Sequence, residues 1–179
     1  CLLPEYAVGK MEREKLWQRT VDEYRARKIH LRLGQKVVDL NTEKRTLQLD
    51  HMETVSFDGL VIATGAQPHM PETLLDSMPH IRTLKTLNDA DQWRRGLDDC
   101  EQVVLVGGDL VSVRFAKRLV EAGKKVTLGL WDEAFWPLTL DDDTRARLVE
   151  SVGATGVEVV TDGAFKAVEP CGEGRYICR

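Results

Sequence analysis

The sequence has no long hydrophobic run and no excess of basic residues, and we expect no signal segment from its first residues. No apolar run approaches the ~18 residues that a transmembrane helix needs, so we expect no membrane span. A formal net charge of −4 gives no reason to expect nucleic acid or an anionic membrane as a partner. Without a signal segment the chain is expected to be cytoplasmic, with its cysteines as free thiols.

Residues that could bind a metal are few and scattered. The four histidines have no ligand spacing, and no C-x-x-C pair is present. Cys171 and Cys178 could form a metal or redox pair, but no other cysteine or histidine lies near them in the sequence to complete a site. We therefore expect no metal. The acidic run Asp141–Asp143 is interpreted as a helix N-terminus, where the helix dipole favours negative charge.

The alternation of apolar and polar residues predicts an α/β protein. Leu60–Ala63 is a short, continuous apolar run, which is typical of a strand buried on both faces. The other elements predicted for the first hundred residues are a helix over 11–28, a strand over 29–33, a hairpin of Val37–Leu40 with Thr46–Leu49, a loop over 68–79, and a helix capped by Asn88 or Asp89 that ends near Leu97.

A second unit begins after residue 100. The apolar strand Val103–Val106 leads into a turn at Gly107 and Gly108, a helix that ends near Ala122, and a strand over Lys125–Leu130. This order defines a βαβ unit with parallel strands. A helix over 141–152 and a strand over 157–160 are predicted to follow.

The turn at Gly107 is the first candidate site. A dinucleotide-binding turn has the pattern G-x-G-x-x-G between a strand and a helix, but here the second glycine is replaced by Asp109 and the third by Ser112. Asp109 would put a negative charge where a pyrophosphate should lie, and like charges repel strongly at close range. A dinucleotide site also has an acidic residue at the end of the second strand, which binds the ribose 2′-OH. Here that position is occupied by Leu130 or Trp131. A weakened nucleotide site and a unit kept for structure alone both stay open.

The second candidate site follows the predicted strand Leu60–Ala63. The carboxyl end of that strand carries the small residues Ala63, Thr64 and Gly65, which would let a ligand approach the backbone. The surrounding run Asp58–Pro68 resembles a segment of the FAD-dependent pyridine nucleotide–disulfide oxidoreductases, in particular the rubredoxin reductase, NADH oxidase and nitrite reductase flavoprotein group. Further segments resemble this family in the expected order, namely residues 2–10, 35–40, 82–90 and 153–158.

The resemblance implies an FAD/NAD(P)-binding Rossmann-like fold, with doubly wound parallel sheets and an inserted antiparallel hairpin. It implies that residues 1–100 are a partial FAD-binding domain without its first βαβ unit, and that residues 101–179 are a partial NAD(P)-binding domain. We therefore expect the chain to be a fragment. The cofactor-binding residues that the resemblance implies are Lys36, Val37, Ala63, Thr64 and Gly65 for FAD, and Gly107, Gly108, Asp109 and Leu110 for the second nucleotide.

The function that the resemblance implies is passage of electrons between a pyridine nucleotide and a protein or small acceptor through FAD. No side chain need be catalytic, because the flavin carries the chemistry; Cys1, near a redox cysteine of some relatives, is not expected to react. The altered turn argues against NAD(P)H, and Arg114 stands where the family usually has a glutamate. Two alternatives stay open: a flavin electron-transfer subunit with a non-functional NAD site, fed by a partner protein, and a non-catalytic scaffold. We also expect an oligomer.

Overall fold

The computed structural model describes residues 2–70, 72–130, 135, 138–161, 167–171 and 176–178. The chain forms two compact units, a smaller one of Trp17–Ala66 and a larger one that joins Cys1–Leu16 to Gln67–Arg179. The helices are α1 (Leu3–Ala7), α2 (Val21–Ala26), α3 (Leu87–Gly96), α4 (Leu110–Glu121) and α5 (Asp142–Gly153), with 3-10 helices over Arg13–Leu16 and Glu72–His80. The strands are β1 (Val37–Asn41), β2 (Thr46–Leu49), β3 (Thr54–Ser56), β4 (Gln102–Gly107), β5 (Lys125–Leu130), β6 (Glu158–Val160), β7 (Val168–Pro170) and β8 (Tyr176–Cys178). The predicted division near residue 100 into two cofactor-binding parts stays a prediction.

The smaller unit contains a three-stranded antiparallel sheet in the order β1-β2-β3. Leu40 lies opposite Leu47 in this sheet, so the predicted hairpin is confirmed. Its turn is closed by the side chain of Asn41, whose Oδ1 accepts the backbone N–H of Lys44 at 2.8 Å. The sequence pattern does not predict β3, because three residues are too few to show a clear alternation.

Two predictions for residues 11–33 are wrong. The predicted helix over 11–28 is broken into two short pieces, because Thr20 starts a new helix with a capping box. The Thr20 hydroxyl accepts the Glu23 N–H, and the Glu23 carboxylate accepts the Thr20 N–H. The predicted strand over 29–33 is irregular and exposed. None of the described strands lies beside it, and an isolated strand leaves its backbone groups without partners.

The buried strand predicted at Leu60–Ala63 is also wrong. These residues are irregular, with Val61 87% exposed and Ile62 69% exposed. An apolar run forms a buried strand only where neighbouring strands pair with its backbone and other elements cover both faces. None of the strands in the described part of the chain pairs with it, so the run lacks the backbone partners that a strand needs.

The turn between β2 and β3 carries three ionisable side chains, and Arg32 joins them from outside the turn. His51 lies between two carboxylates, with Nδ1 3.2 Å from Asp50 Oδ1 and Nε2 3.0 Å from Glu53 Oε2. Arg32 donates to the other oxygen of Glu53 at 2.6 Å. The hydrogen bond to Glu53, and then the one to Asp50, raise the pKa of His51. Only the protonated ring can donate from both nitrogens, so this arrangement favours the imidazolium.

The larger unit is built on a parallel sheet in the order β4-β5-β6. Gly107 lies opposite Leu130, and α4 connects the two strands, so the predicted βαβ unit is confirmed. The helix predicted to begin at Asp141 is confirmed as well, because Asp141 caps α5 by accepting the Thr144 N–H at 2.7 Å. Its acidic neighbours lie in the first turn of α5, where the helix dipole favours them.

One hydrophobic core holds the larger unit together. It packs α1, α3 and α4 with the parallel sheet, and Leu119 and Leu128 at its centre are fully buried. The amphipathic spacing of Phe115, Ala116 and Leu119 directs one face of α4 into this core. The buried members of the core are Tyr6, Ala7, Ala90, Leu97, Val103, Leu105, Phe115, Ala116, Leu119, Val126, Leu128, Leu130, Phe135 and Val157.

Three details of the larger unit differ from the sequence prediction. The cap of α3 is Thr86 rather than Asn88 or Asp89, because Asp89 lies at the third helical position and accepts the Thr86 N–H in a capping box. The predicted loop over 68–79 contains a 3-10 helix that buries Leu74. The antiparallel pair β7 and β8 is too short to be recognised from the sequence. No helix among the described residues is long and apolar enough to cross a bilayer.

Candidate nucleotide-binding site

The Gly107–Gly108 turn joins the end of β4 to the start of α4, as predicted. Gly107 ends the strand and Leu110 begins the helix, so only two residues separate a buried parallel strand from a helix N-terminus. The φ angle of Gly107 is +158°, and a Cβ there would lie 2.7 Å from the Ser112 Oγ. The first glycine of the pattern is therefore required by the close approach of α4 to the strand.

Asp109 caps the helix in this turn. Its Oδ1 accepts the backbone N–H of Ser112 at 2.7 Å and the Ser112 hydroxyl at 2.5 Å. A free helix N-terminus attracts anions because its N–H groups are unpaired and the helix dipole is positive there. In this chain a side-chain carboxylate already accepts one of those N–H groups. The turn thus has the strand–glycine–helix arrangement of a dinucleotide site, but the carboxylate of Asp109 is bound at its helix N-terminus.

The Gly108 side of the same turn also contacts a distant part of the chain. The backbone N–H of Phe135 donates to the Gly108 carbonyl at 2.6 Å, and Phe135 is only 3% exposed. Leu130 ends β5 opposite Gly107 and is buried, so this position offers no carboxylate to a ribose. Trp131, the alternative position for that acid, lies outside the described residues.

The residues predicted to bind FAD lie in the smaller unit and at its surface. Lys36 is exposed and its carbonyl accepts the Asp50 N–H at 2.9 Å, while Val37 starts β1 and is 48% exposed. Ala63, Thr64 and Gly65 are exposed and irregular, and Gly65 has a φ of +74°. Gly107, Gly108, Asp109 and Leu110 belong to the larger unit. The assignment of both groups to cofactors stays a prediction.

An ion-pair cluster between α1 and α4, centred on the buried carboxylate of Glu5, was not foreseen from the sequence. Glu5 is 7% exposed, and its Oε1 accepts hydrogen bonds from Arg114 Nε at 2.8 Å and from Arg118 Nε at 3.0 Å. Its Oε2 is buried without a hydrogen-bond partner among the described residues. Burial raises the pKa of Glu5, but the hydrogen bonds from the two arginines outweigh it and hold the pKa below 4.5.

The cluster continues along α4. Glu121 accepts hydrogen bonds from Lys10 and from Arg118, each at 2.6 Å, which lower its pKa to about 2. Arg114, Arg118 and Glu121 recur at helical spacing, so the sequence could have shown that they share one face. Glu5, the partner of the two arginines, is 109 residues from Arg114 and could not be paired with it from spacing alone.

Among the described residues, the other potential metal-binding groups do not gather into a site. No cluster of three or more histidine, cysteine, aspartate or glutamate side chains with metal-binding geometry occurs among the residues that the structure describes. Cys100, Cys171 and Cys178 are free thiols, and burial raises the pKa of Cys178. The chemistry that this geometry allows is therefore the binding of a ligand at the end of a parallel strand.

A parallel strand, a two-glycine turn and a closely packed helix define a dinucleotide-binding type of α/β unit. The family described as "Pyridine nucleotide-disulphide oxidoreductase" matches residues 1–177. The chain belongs to the pyridine nucleotide-disulphide oxidoreductase family.

Relatives of known function support this membership. The chain is 31% identical over 155 residues to putidaredoxin reductase CamA of Pseudomonas putida, covering 85% of this chain and 34% of that protein. It is 26% identical over 173 residues to the epsilon subunit of NADH-dependent phenylglyoxylate dehydrogenase of Aromatoleum evansii, covering 97% of this chain and 41% of that protein. The crystal structure of reduced Bacillus anthracis CoADR-RHD superposes with a TM-score of 0.79 at 26% identity, covering 94% of this chain and 32% of that one. The chain thus spans about a third to two-fifths of the length of these proteins.

Proposed function

We propose that the protein is an FAD-dependent oxidoreductase that passes electrons between a pyridine nucleotide and a protein or small acceptor. The observation that carries this proposal is the family match over residues 1–177, together with the glycine turn at the end of β4. Putidaredoxin reductase, one of the relatives, is by its name a reductase of a protein. A protein electron carrier is therefore the acceptor that we favour, and we place the reaction in the cytoplasm, in an oligomer.

The residues predicted to bind FAD have properties that suit this cofactor. Ala63, Thr64 and Gly65 present little side chain, and they are exposed, so a ligand could approach their backbone. Lys36 and Val37 would lie against the adenine end. Bound FAD supplies the redox chemistry, and the chain's own residues bind and orient it and exclude water. No side chain of this chain is assigned a proton-transfer role.

A second candidate function is a flavin electron-transfer subunit that receives electrons from a partner protein. The carboxylate of Asp109 at the helix N-terminus favours it, because the residues of the second turn fit a dinucleotide poorly. The relative from Aromatoleum evansii is, by its name, one subunit of a larger dehydrogenase. A non-catalytic scaffold that binds no cofactor is the third candidate.

The visible absorption spectrum of the full-length purified protein separates these functions. We expect flavin absorbance, and its absence would leave only the scaffold. Anaerobic addition of NADH then tests the electron donor. Bleaching of the flavin supports the pyridine-nucleotide-linked enzyme, whereas a flavin that is bleached by dithionite but not by NADH supports the partner-fed subunit.

A pair of glycine variants tests the FAD assignment. Gly65→Val should lower the flavin content of the full-length protein several-fold, because it adds a branched side chain at a φ of +74° and fills the approach to the backbone. Gly59→Val is the matched control, since a Cβ at Gly59 meets nothing within 4 Å. Equal flavin content in the two variants would contradict the assignment of Gly65 to the flavin site.

A further inference from the structure

We propose that Asp109 is an internal ligand of the second nucleotide turn, one that occupies the N-terminus of α4 and excludes the pyrophosphate of a dinucleotide. The inference rests on the second candidate function, the flavin subunit that receives electrons from a partner protein, in which this turn keeps the position of the family's pyridine-nucleotide site without binding the nucleotide. It goes further by naming the side chain that closes the site and the groups that hold it closed.

The first argument is competition for donors. A phosphate bound at a helix N-terminus is held by unpaired backbone N–H groups. In α4 the Asp109 carboxylate accepts the Ser112 N–H at 2.7 Å and the Ser112 hydroxyl at 2.5 Å. A carboxylate and a phosphate present similar anionic oxygens, so the bound side chain takes the place of the ligand. An incoming pyrophosphate would have to displace Asp109 and overcome its charge.

The second argument is that the turn already contacts its own chain at two points. The Ser112 hydroxyl lies where a Cβ on Gly107 would be 2.7 Å away, so the gap beside the first glycine is filled. On the other side, the Gly108 carbonyl accepts the N–H of buried Phe135. The turn therefore has contacts with its own chain at the helix end and at the Gly108 carbonyl. These contacts are additional to the negative charge of Asp109.

The third argument separates this role from ordinary helix capping. Asp141 caps α5 with the same geometry, accepting the Thr144 N–H at 2.7 Å, but no glycine turn precedes it. Both aspartates stabilise a helix start, so capping alone would make their removal equivalent. Only the loss of Asp109 should change nucleotide binding, and Asp141 is thus a matched control in the same chain.

The experiment is calorimetric titration of the purified protein with NADH and with ADP-ribose, which carries the pyrophosphate but no transferable hydride. We expect no binding by the parent up to roughly millimolar ligand, a level that corresponds to a very weak complex. Asp109→Gly should bind both ligands at least ~10-fold more tightly than the parent, a ratio well within reach of one removed charge repulsion. Asp141→Gly should bind like the parent.

Asp109→Asn separates occupation from charge, because asparagine caps a helix as well as aspartate does but is neutral. We expect it to gain much less affinity than Asp109→Gly. Micromolar binding by the parent, no gain in a folded Asp109→Gly, or an equal gain in the asparagine variant would each overturn the proposal. Thermal melts of both glycine variants confirm folding. Flavin absorbance in the same samples tests the proposed function separately, because binding of ADP-ribose requires no electron transfer.

Discussion

Each of the two compact units of this chain is stabilised internally in a different way. In Trp17–Ala66, Leu49 is the one described hydrophobic residue that is buried, and large apolar side chains such as Leu33, Met52 and Val61 are between 73% and 87% exposed. In the larger unit a continuous core surrounds Leu119 and Leu128. The smaller unit owes its shape to ladder hydrogen bonds and turn chemistry, whereas the larger one also gains the free energy of apolar burial, about 25 cal/mol per Å².

This difference shows which sequence signals are sufficient by themselves. A hairpin needs only its two strands and its turn, so it forms without a core, although such a sheet gains little stability from burial. A buried strand needs a neighbouring strand to pair with its backbone and other elements to cover it. Val103–Val106 pairs with β5 and packs against α4, while none of the described strands pairs with Leu60–Ala63.

The largest expected effect compares the same substitution in the two units. Leu128→Ala should lower the free energy of unfolding by about 2–5 kcal/mol, because it leaves a cavity beneath the parallel sheet. Leu33→Ala should change it by less than about 0.5 kcal/mol, because Leu33 is 73% exposed. Urea unfolding followed by circular dichroism measures both. Equal losses would show that Leu33 is buried in solution, and the contrast between the units would fail.

An intermediate effect is expected from the charge cluster of the larger unit. Glu5→Gln should cost about 1–3 kcal/mol at pH 7, less than for a fully buried pair because the Arg114 side chain is 45% exposed. Asp22→Asn in the smaller unit is the control, since its pair with Arg25 is exposed on both sides and should be worth at most about 0.5 kcal/mol. Urea unfolding of the two variants gives both values.

The pH dependence sharpens this test. Because the folded-state pKa of Glu5 is lowered from 4.5, its contribution is present above pH 4.5 and is lost as the pH falls through the folded-state pKa. Glu121, with a pKa of about 2, acts in the same direction. Glu5→Gln should therefore lose less stability than the parent between pH 5 and pH 3. Parallel acid profiles for the two proteins would contradict the role given to Glu5.

The smallest effect concerns His51 in the smaller unit. Its pKa is raised above 6.5 by Glu53 and Asp50, so its stabilising charge is present below pH 6.5 and is lost as the pH rises through the raised pKa. NMR titration should show a pKa above 6.5 for His51. Glu53→Gln should move that pKa back toward 6.5, since it removes the larger of the two causes. A value at or below 6.5 in the parent would rule out the bridging geometry.

Much of the larger unit could be predicted from the sequence, because its signals are local. The apolar run before Gly107, the amphipathic spacing of Phe115 and Leu119, and the acidic cap at Asp141 each define an element within about twelve residues. The family followed from several weak motifs in a fixed order, and the match over residues 1–177 confirms it.

The predictions that failed depended on partners that no local pattern reveals. Leu60–Ala63 has the composition of a buried strand, yet strand formation depends on what lies beside it. Thr20 interrupts a helical periodicity because its hydroxyl forms a local cap. The Glu5 cluster requires a residue 109 positions from Arg114, and the Asp109 cap could be foreseen as a negative charge but not as a bound ligand.

The docking of α1 on α4 affects the order in which the chain folds. The hairpin and the βαβ unit form from neighbouring segments, but Glu5 must reach Arg114 across 109 residues. Closing a loop of that length costs about 4 kcal/mol of chain entropy, apart from a constant. We therefore expect α1 to join the core after the folding transition state, with φ-values near 0 at Glu5 and higher values in β4 and β5. During synthesis α1 leaves the ribosome before its binding surface exists, so its apolar face stays exposed until α4 has been made.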